Sequence, residues 1–261
     1  GKLFMAGFIP GLMIAGAFST YVIYRCILHP ELAPAGGLHY SWKDRLMSIP
    51  LLAPVVILVT VVLGSIYAGW ATPTEAAAVG VAGSIFFALL TKSLTAEVFK
   101  EALMGSVKTS CMIMWIVCGA AFLSVAVGYL GIATSLTKFV SSLGLSRYAL
   151  ILILSIMYLV MGCLLDGFSM IVMSLPIALP LVNQAGFDPI WFGIYLVIMI
   201  QLAQITPPVG FNLFVINGLI EEDIGKIAIA ALPFFIILLL ITALLTIFPD
   251  IVLFLPKLMV K

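Results

Sequence analysis

The residues best suited to chemistry form one short stretch, Ile205-Thr206-Pro207-Pro208-Val209-Gly210-Phe211-Asn212-Leu213-Phe214. It lies inside a run from Pro189 to Ile220 that carries no charged residue, and a run of that length reads as membrane-spanning. Pro207 and Pro208 have no N–H, and their rings clash with the preceding turn, so a helix must break there. The break frees carbonyls near Gln201–Ile205, each costly in lipid unless something satisfies it. The incoming half-helix ends in partial negative charge, which suits a cation. The outgoing half, restarting at Phe211, begins with partial positive charge, which suits an anion. Gln201, Gln204, Thr206, Asn212 and Asn217 add polar groups to an otherwise apolar segment. A kinked packing helix is the plainer reading, but it leaves those side chains unexplained. Broken helices at membrane depth mark transport sites.

A second cluster is Gly162-Cys163-Leu164-Leu165-Asp166-Gly167-Phe168-Ser169. Asp166 is the only ionisable group of the acid and base type between Arg147 and Asp188, and a carboxylate at membrane depth is a functional hypothesis by default. Two geometries compete. Either 148–165 and 167–183 are two full spans joined by a surface turn, or they form a re-entrant hairpin whose tip carries Asp166 and Ser169 to mid-membrane. Pro176 and Pro180 would loosen the descending arm. The neighbouring break favours the hairpin.

A third motif, Gly69-Trp70-Ala71-Thr72-Pro73-Thr74-Glu75, has a structural explanation for every residue. Thr72 with Glu75 three positions on is a capping box, and Pro73 falls at the first helical position. The competing role for Glu75 is in a transport path. No HExxH, GxSxG or Walker pattern occurs, so no enzymatic chemistry is expected. His29 and His39 read as interfacial loop residues, and Gly7 with Gly11 as a helix-packing pair.

The elements that position these groups are apolar helices. The chain is 64% hydrophobic and 9% charged, where a soluble domain is nearer one-quarter charged. Charge-free runs occur at 3–24, 46–74, 76–91, 109–137, 148–165, 167–187, 189–220 and 227–249. The expectation is an all-α polytopic membrane protein whose partner is the lipid bilayer. A net charge of +1 points to no nucleic-acid partner. Residues 93–108 alternate an apolar face (Leu94, Val98, Ala102, Leu103, Val107) with a charged one (Glu97, Lys100, Glu101, Lys108), which predicts an amphipathic helix lying in the interface. Arg25, Lys43, Arg45, Lys92, Lys100 and Lys108 mark cytoplasmic loops, with Trp42 and Tyr40 at the interface; Gly69–Thr74 then faces outward. The four cysteines, Cys26, Cys111, Cys118 and Cys163, read as free thiols. The chain begins at Gly1 and enters an apolar segment at once, which fits a piece of a longer polypeptide.

On these residues the chain resembles the large membrane subunit of tripartite ATP-independent periplasmic (TRAP) transporters. The segments that carry the likeness are Gly69 to Gly80, Leu164 to Gly167, Ile205 to Ile216 and Phe248 to Pro256. The resemblance covers the whole chain and implies a sodium-coupled elevator transporter in the bacterial inner membrane. Such a subunit has two inverted repeats, each with scaffold helices, a re-entrant hairpin and a broken helix. A small membrane subunit braces it, and a soluble periplasmic protein delivers a carboxylate substrate such as a dicarboxylate or sialic acid. Asp166, Gly167 and Ser169 resemble the tip of the second hairpin. Thr206, Pro207, Pro208, Gly210 and Asn212 resemble the second broken helix. Together they imply one sodium site, with Ser169, Thr206, Asn212 and nearby carbonyls as ligands, and part of the substrate wall. Na⁺ is the coupling ion, and no cofactor is implied. The family's first hairpin, and its first broken helix with a Pro-Pro-Ser element, have no counterpart here. The likeness is to the C-terminal portion, so the upstream half of the same subunit is a further expected partner.

The expected organisation is scaffold helices with an interfacial arm at 1–110, a transport region at 111–220, and a C-terminal membrane helix and tail at 221–261. Within the transport region the hairpin falls at about 147–183 and the broken helix at about 189–220. Rival readings are a channel-like pore, with the break as a filter, and a non-transporting membrane anchor.

Overall fold

A computed structural model describes residues 1–32, 42–132, 135, 138, 142, 144–206, 210–220 and 222–258, with the backbone alone at 32, 42–51 and 211. Tyr40, His39, Pro207 and Pro208, and the side chains of Trp42, Lys43 and Arg45, lie outside the described residues. Among those described are ten α-helices and one short 3₁₀ turn, Pro30–Leu32. The helices are α1 (Lys2–Leu28), α2 (Trp42–Tyr67), α3 (Pro73–Leu90), α4 (Ala96–Tyr129), α5 (Arg147–Gly162), α6 (Gly167–Gln184), α7 (Pro189–Gln204), α8 (Phe211–Ile220), α9 (Ile224–Ile247) and α10 (Asp250–Leu258). Five of them, α1, α3, α4, α6 and α9, are long and apolar enough to cross a membrane. Their outward faces expose large apolar side chains such as Leu12, Phe86, Trp115, Phe122 and Leu240, a surface that lipid tolerates and water does not. With only helices among the described residues and five such spans, the chain is a polytopic membrane protein.

Contacts divide the chain into two compact units. The first holds Gly1 and Ile23–Ser110. In it α2 packs along α3, where Gly80 and Gly83 let the helices approach at Val62 and Leu58. The capping box is present in full. Glu75 N–H donates to Thr72 Oγ1 at 3.4 Å, while the Glu75 carboxylate accepts from Thr72 N–H and Thr72 Oγ1, both at 2.8 Å. Thr72→Ala removes the cap and is expected to lower stability by about 1 kcal/mol. Thr72→Ser should leave it unchanged, and thermal unfolding of the two variants in detergent compares them.

The amphipathic segment and the apolar run that follows it are one continuous helix, the 34-residue α4. At 1.5 Å per residue it is about 51 Å long, well beyond a hydrocarbon core of about 30 Å.

The second unit holds Lys2–Val22 and Cys111–Lys261. Its centre is α7, which buries Trp191, Phe192, Ile194, Tyr195, Leu196, Ile198, Met199, Ile200, Leu202 and Ala203. A helix apolar on every face belongs inside a bundle. Around it pack α5, α6, α8, α9 and α10. Leu3 of α1 fits against Gly193 and Phe18 stands edge-on to Phe234. Polar ties cross the packed faces. Tyr158 Oη donates to Ser174 Oγ at 3.0 Å, joining α5 to α6. Tyr195 Oη lies 2.8 Å from Ser155 Oγ, joining α7 to α5. Trp191 Nε1 donates to the Leu245 carbonyl at 2.8 Å, joining α7 to α9. α6 stays helical through Pro176 and Pro180.

Candidate functional site

The turn between α5 and α6 and the end of α7 meet in the second unit. Each side is built by local rules. Asp166 caps α6: its Oδ2 accepts from Phe168 N–H at 3.0 Å and Ser169 N–H at 3.2 Å, and its Oδ1 accepts the Ser169 hydroxyl. A carboxylate at a helix start satisfies orphan donors and opposes the positive end of the dipole. Asp166 is exposed, Ser169 half-buried and Gly167 buried.

On the other side α7 stops at Gln204 and α8 restarts at Phe211. Pro207 takes from Ala203 its usual helical donor four residues on. Thr206 N–H, 3.2 Å from the Ala203 carbonyl, fills that place. Thr206 Oγ1 donates to the Leu202 carbonyl at 2.7 Å. Gly210 has φ +44, and a Cβ there would stand 2.9 Å from Leu213 Cδ1 and 3.1 Å from the Thr206 carbonyl oxygen, so a side chain at this position is strained. Asn212 Nδ2 donates to Gln201 Oε1 at 3.2 Å, bridging the two half-helices.

The two sides touch through small residues. Gly162 lies against Ala203, and Gly167 against Ile200 and the Gln204 side chain. Asp166 and Gly167 are thus brought to the end of α7. Ser169, Thr206 and Asn212 each bond to a local partner, Asp166, Leu202 and Gln201 respectively. In every case the hydrogen is donated away, which leaves oxygen lone pairs on Ser169, Thr206 and Asn212. Such oxygens suit a hard monovalent cation. The sequence named these groups, but not the seat that Ala203 and Gln204 form for Gly162 and Gly167, nor the buried tyrosine ties. The only hint was small residues on either side of the Asp166 turn.

This arrangement defines a multi-pass helical membrane protein with a polar break beside a capped turn. The chain belongs to the family described as "Tripartite ATP-independent periplasmic transporter, DctM component", which it matches over residues 1–251. It is similar to the C4-dicarboxylate TRAP transporter large permease protein DctM of Rhodobacter capsulatus, with 34% identity over 99% of this chain and 58% of the relative. The protein of the same description from Pseudomonas aeruginosa is 34% identical over 98% of this chain and 60% of its own length. The sialic acid TRAP transporter large permease protein SiaM of Vibrio cholerae is 28% identical over 99% of this chain and 60% of its own length. The chain therefore spans about three-fifths of the length of these relatives.

Proposed function

We propose that this chain forms part of a sodium-coupled secondary transporter that imports small organic anions. The second unit would carry one sodium site, built from Ser169, Thr206, Asn212 and carbonyls at the end of α7. Asp166 and Gly167 at the turn, and Pro207, Pro208 and Gly210 at the break, would shape it. The observation that carries this reading is the meeting of the Asp166 turn with the broken end of α7. The short α5, about 24 Å, and α8, about 15 Å, against a core of about 30 Å, are the lengths in favour of a re-entrant and broken arrangement, whereas α6, at about 27 Å, is long enough to cross. The mechanism we assign is an elevator, in which this region moves against scaffold helices; the family likeness is its support.

The relatives are described as permeases for C4-dicarboxylates and for sialic acid, and a carboxylate-bearing anion is the substrate class we assign. The assigned partners are the rest of the large subunit, a small TRAP membrane subunit and a periplasmic binding protein, with the bacterial inner membrane as the location. No enzymatic step is assigned.

The test is uptake into vesicles containing the complete assembly. Thr206→Ala and Asn212→Ala are each expected to raise the sodium concentration for half-maximal uptake by about tenfold, with membrane levels unchanged. Unchanged sodium activation in both variants would remove the site assignment. Counterflow separates the rival mechanisms: a carrier shows saturable exchange, a pore shows flux proportional to the driving force, and an anchor shows neither.

A further inference from the structure

Two glycines bracket the turn between α5 and α6, and both press on the last turn of α7. Gly162 closes α5 and is buried. A methyl group on it would collide with Ala203 Cβ and stand 3.0 Å from the Ala203 Cα and carbonyl carbon. Gly167 opens α6 and is also buried. A methyl group there would collide with the Gln204 amide nitrogen and stand 2.7 Å from Ile200 Cγ2. Neither glycine has a positive φ, so these positions use the missing side chain rather than backbone freedom.

We propose that Ala203 and Gln204 form a seat that fixes the turn, and that Gly162 and Ala203 are positioning residues for the cation site. This rests on the sodium reading above and adds to it residues that touch no ion. Ser169 follows Gly162 in the chain, and Thr206 follows Ala203, so proposed ligands hang from the two faces of one contact. Farther from the turn the three helices are tied by Tyr158 to Ser174 and by Tyr195 to Ser155. A wedge at the seat therefore splays the turn from the break while the ties hold. Sites of convergent ligands tolerate only about 0.5 Å of displacement.

The probe is sodium itself. The complete permease is titrated with NaCl, with KCl as control, and the thermal unfolding midpoint reports binding. Gly162→Ala is expected to raise the half-saturating NaCl concentration at least tenfold, in addition to the lower KCl midpoint that overpacking a buried contact brings. Moving the methyl group across the contact, in the double variant Gly162→Ala with Ala203→Gly, removes the Cβ collision but keeps the 3.0 Å backbone contacts, so it is expected to recover at least threefold of the lost sodium affinity. Gln204→Ala should relieve Gly167→Ala in part, since the Ile200 contact remains, and should not relieve Gly162→Ala, because it clears only its own side of the seat.

A merely structural glycine would lower the KCl midpoint and leave sodium half-saturation where it was, which overturns the proposal. If Gly162→Ala does not accumulate, the double variant is read alone; it must accumulate and show sodium-specific stabilisation, and its failure also overturns the proposal. A parent without sodium-specific stabilisation overturns the sodium reading and the proposal together. A stabilised parent beside an unaffected Gly162→Ala overturns the proposal alone.

Discussion

Trp191→Ala is expected to destabilise the second unit by about 3–5 kcal/mol, the range for removing a large buried aromatic side chain. Trp191 is 1% exposed, stacked between Phe187 and Tyr195 with ring centroids 4.3 and 5.3 Å away. Its indole has a second role. In an uninterrupted helix the Leu245 carbonyl would accept from residue 249, but residue 249 is proline and has no N–H. Trp191 Nε1 supplies the missing donor at 2.8 Å. Leu245 is buried, so losing that donor carries the cost of an unsatisfied carbonyl, about 1–3 kcal/mol. Trp191→Phe keeps most of the stack and loses only the donor, so it should fall between parent and alanine variant. Equilibrium unfolding in mixed micelles measures all three. Equal losses for the phenylalanine and alanine variants would reduce the role of Trp191 to the hydrogen bond. An alanine variant within about 1 kcal/mol of the parent would show that α7 does not organise this unit.

The features legible in the sequence are those whose physics is local. The Thr72–Glu75 box needs only residues three apart, and it is present with both reciprocal bonds. The stop of α7 and restart at Phe211 follow from proline chemistry around one break. The extent of α4 was less legible. A change from amphipathic to wholly apolar at about residue 108 marks a change of surroundings, not the end of a helix. Ending a helix takes proline or a capping glycine, and Gly105 within a run of helix formers does not suffice. The ties between helices were not legible at all. Tyr158 finds Ser174 sixteen residues away, Tyr195 finds Ser155 at forty, and Trp191 finds Leu245 at fifty-four. No periodicity encodes those pairings. One could have been anticipated in part: Pro249 orphans the Leu245 carbonyl, and a buried orphan demands a donor from elsewhere. For the site, sequence reasoning could choose the oxygens but not say where their hydrogens go. Donation by Ser169, Thr206 and Asn212 to local acceptors is a property of the folded turn and break.

Asp166→Asn separates two roles that one carboxylate can play. As a cap, Asp166 accepts two backbone N–H groups and the Ser169 hydroxyl. Asparagine is as good an N-cap, so the substitution should change stability by less than about 1 kcal/mol. What it removes is the negative charge and one acceptor for Ser169. On the proposed sodium site the charge acts at a distance. A carboxylate on the turn that meets the end of α7 favours a cation held there, by an amount that solvent screening of the exposed Asp166 reduces. Sodium half-saturation, read from NaCl-dependent stabilisation, is therefore expected to rise by about tenfold in Asp166→Asn with the midpoint in KCl near that of the parent. Asp166→Ala should show the same loss of sodium affinity and in addition a lower KCl midpoint, by about 1–2 kcal/mol for the missing cap. A change below threefold in Asp166→Asn, beside a destabilised Asp166→Ala, would make Asp166 a helix cap on a water-exposed turn and move the sodium site elsewhere.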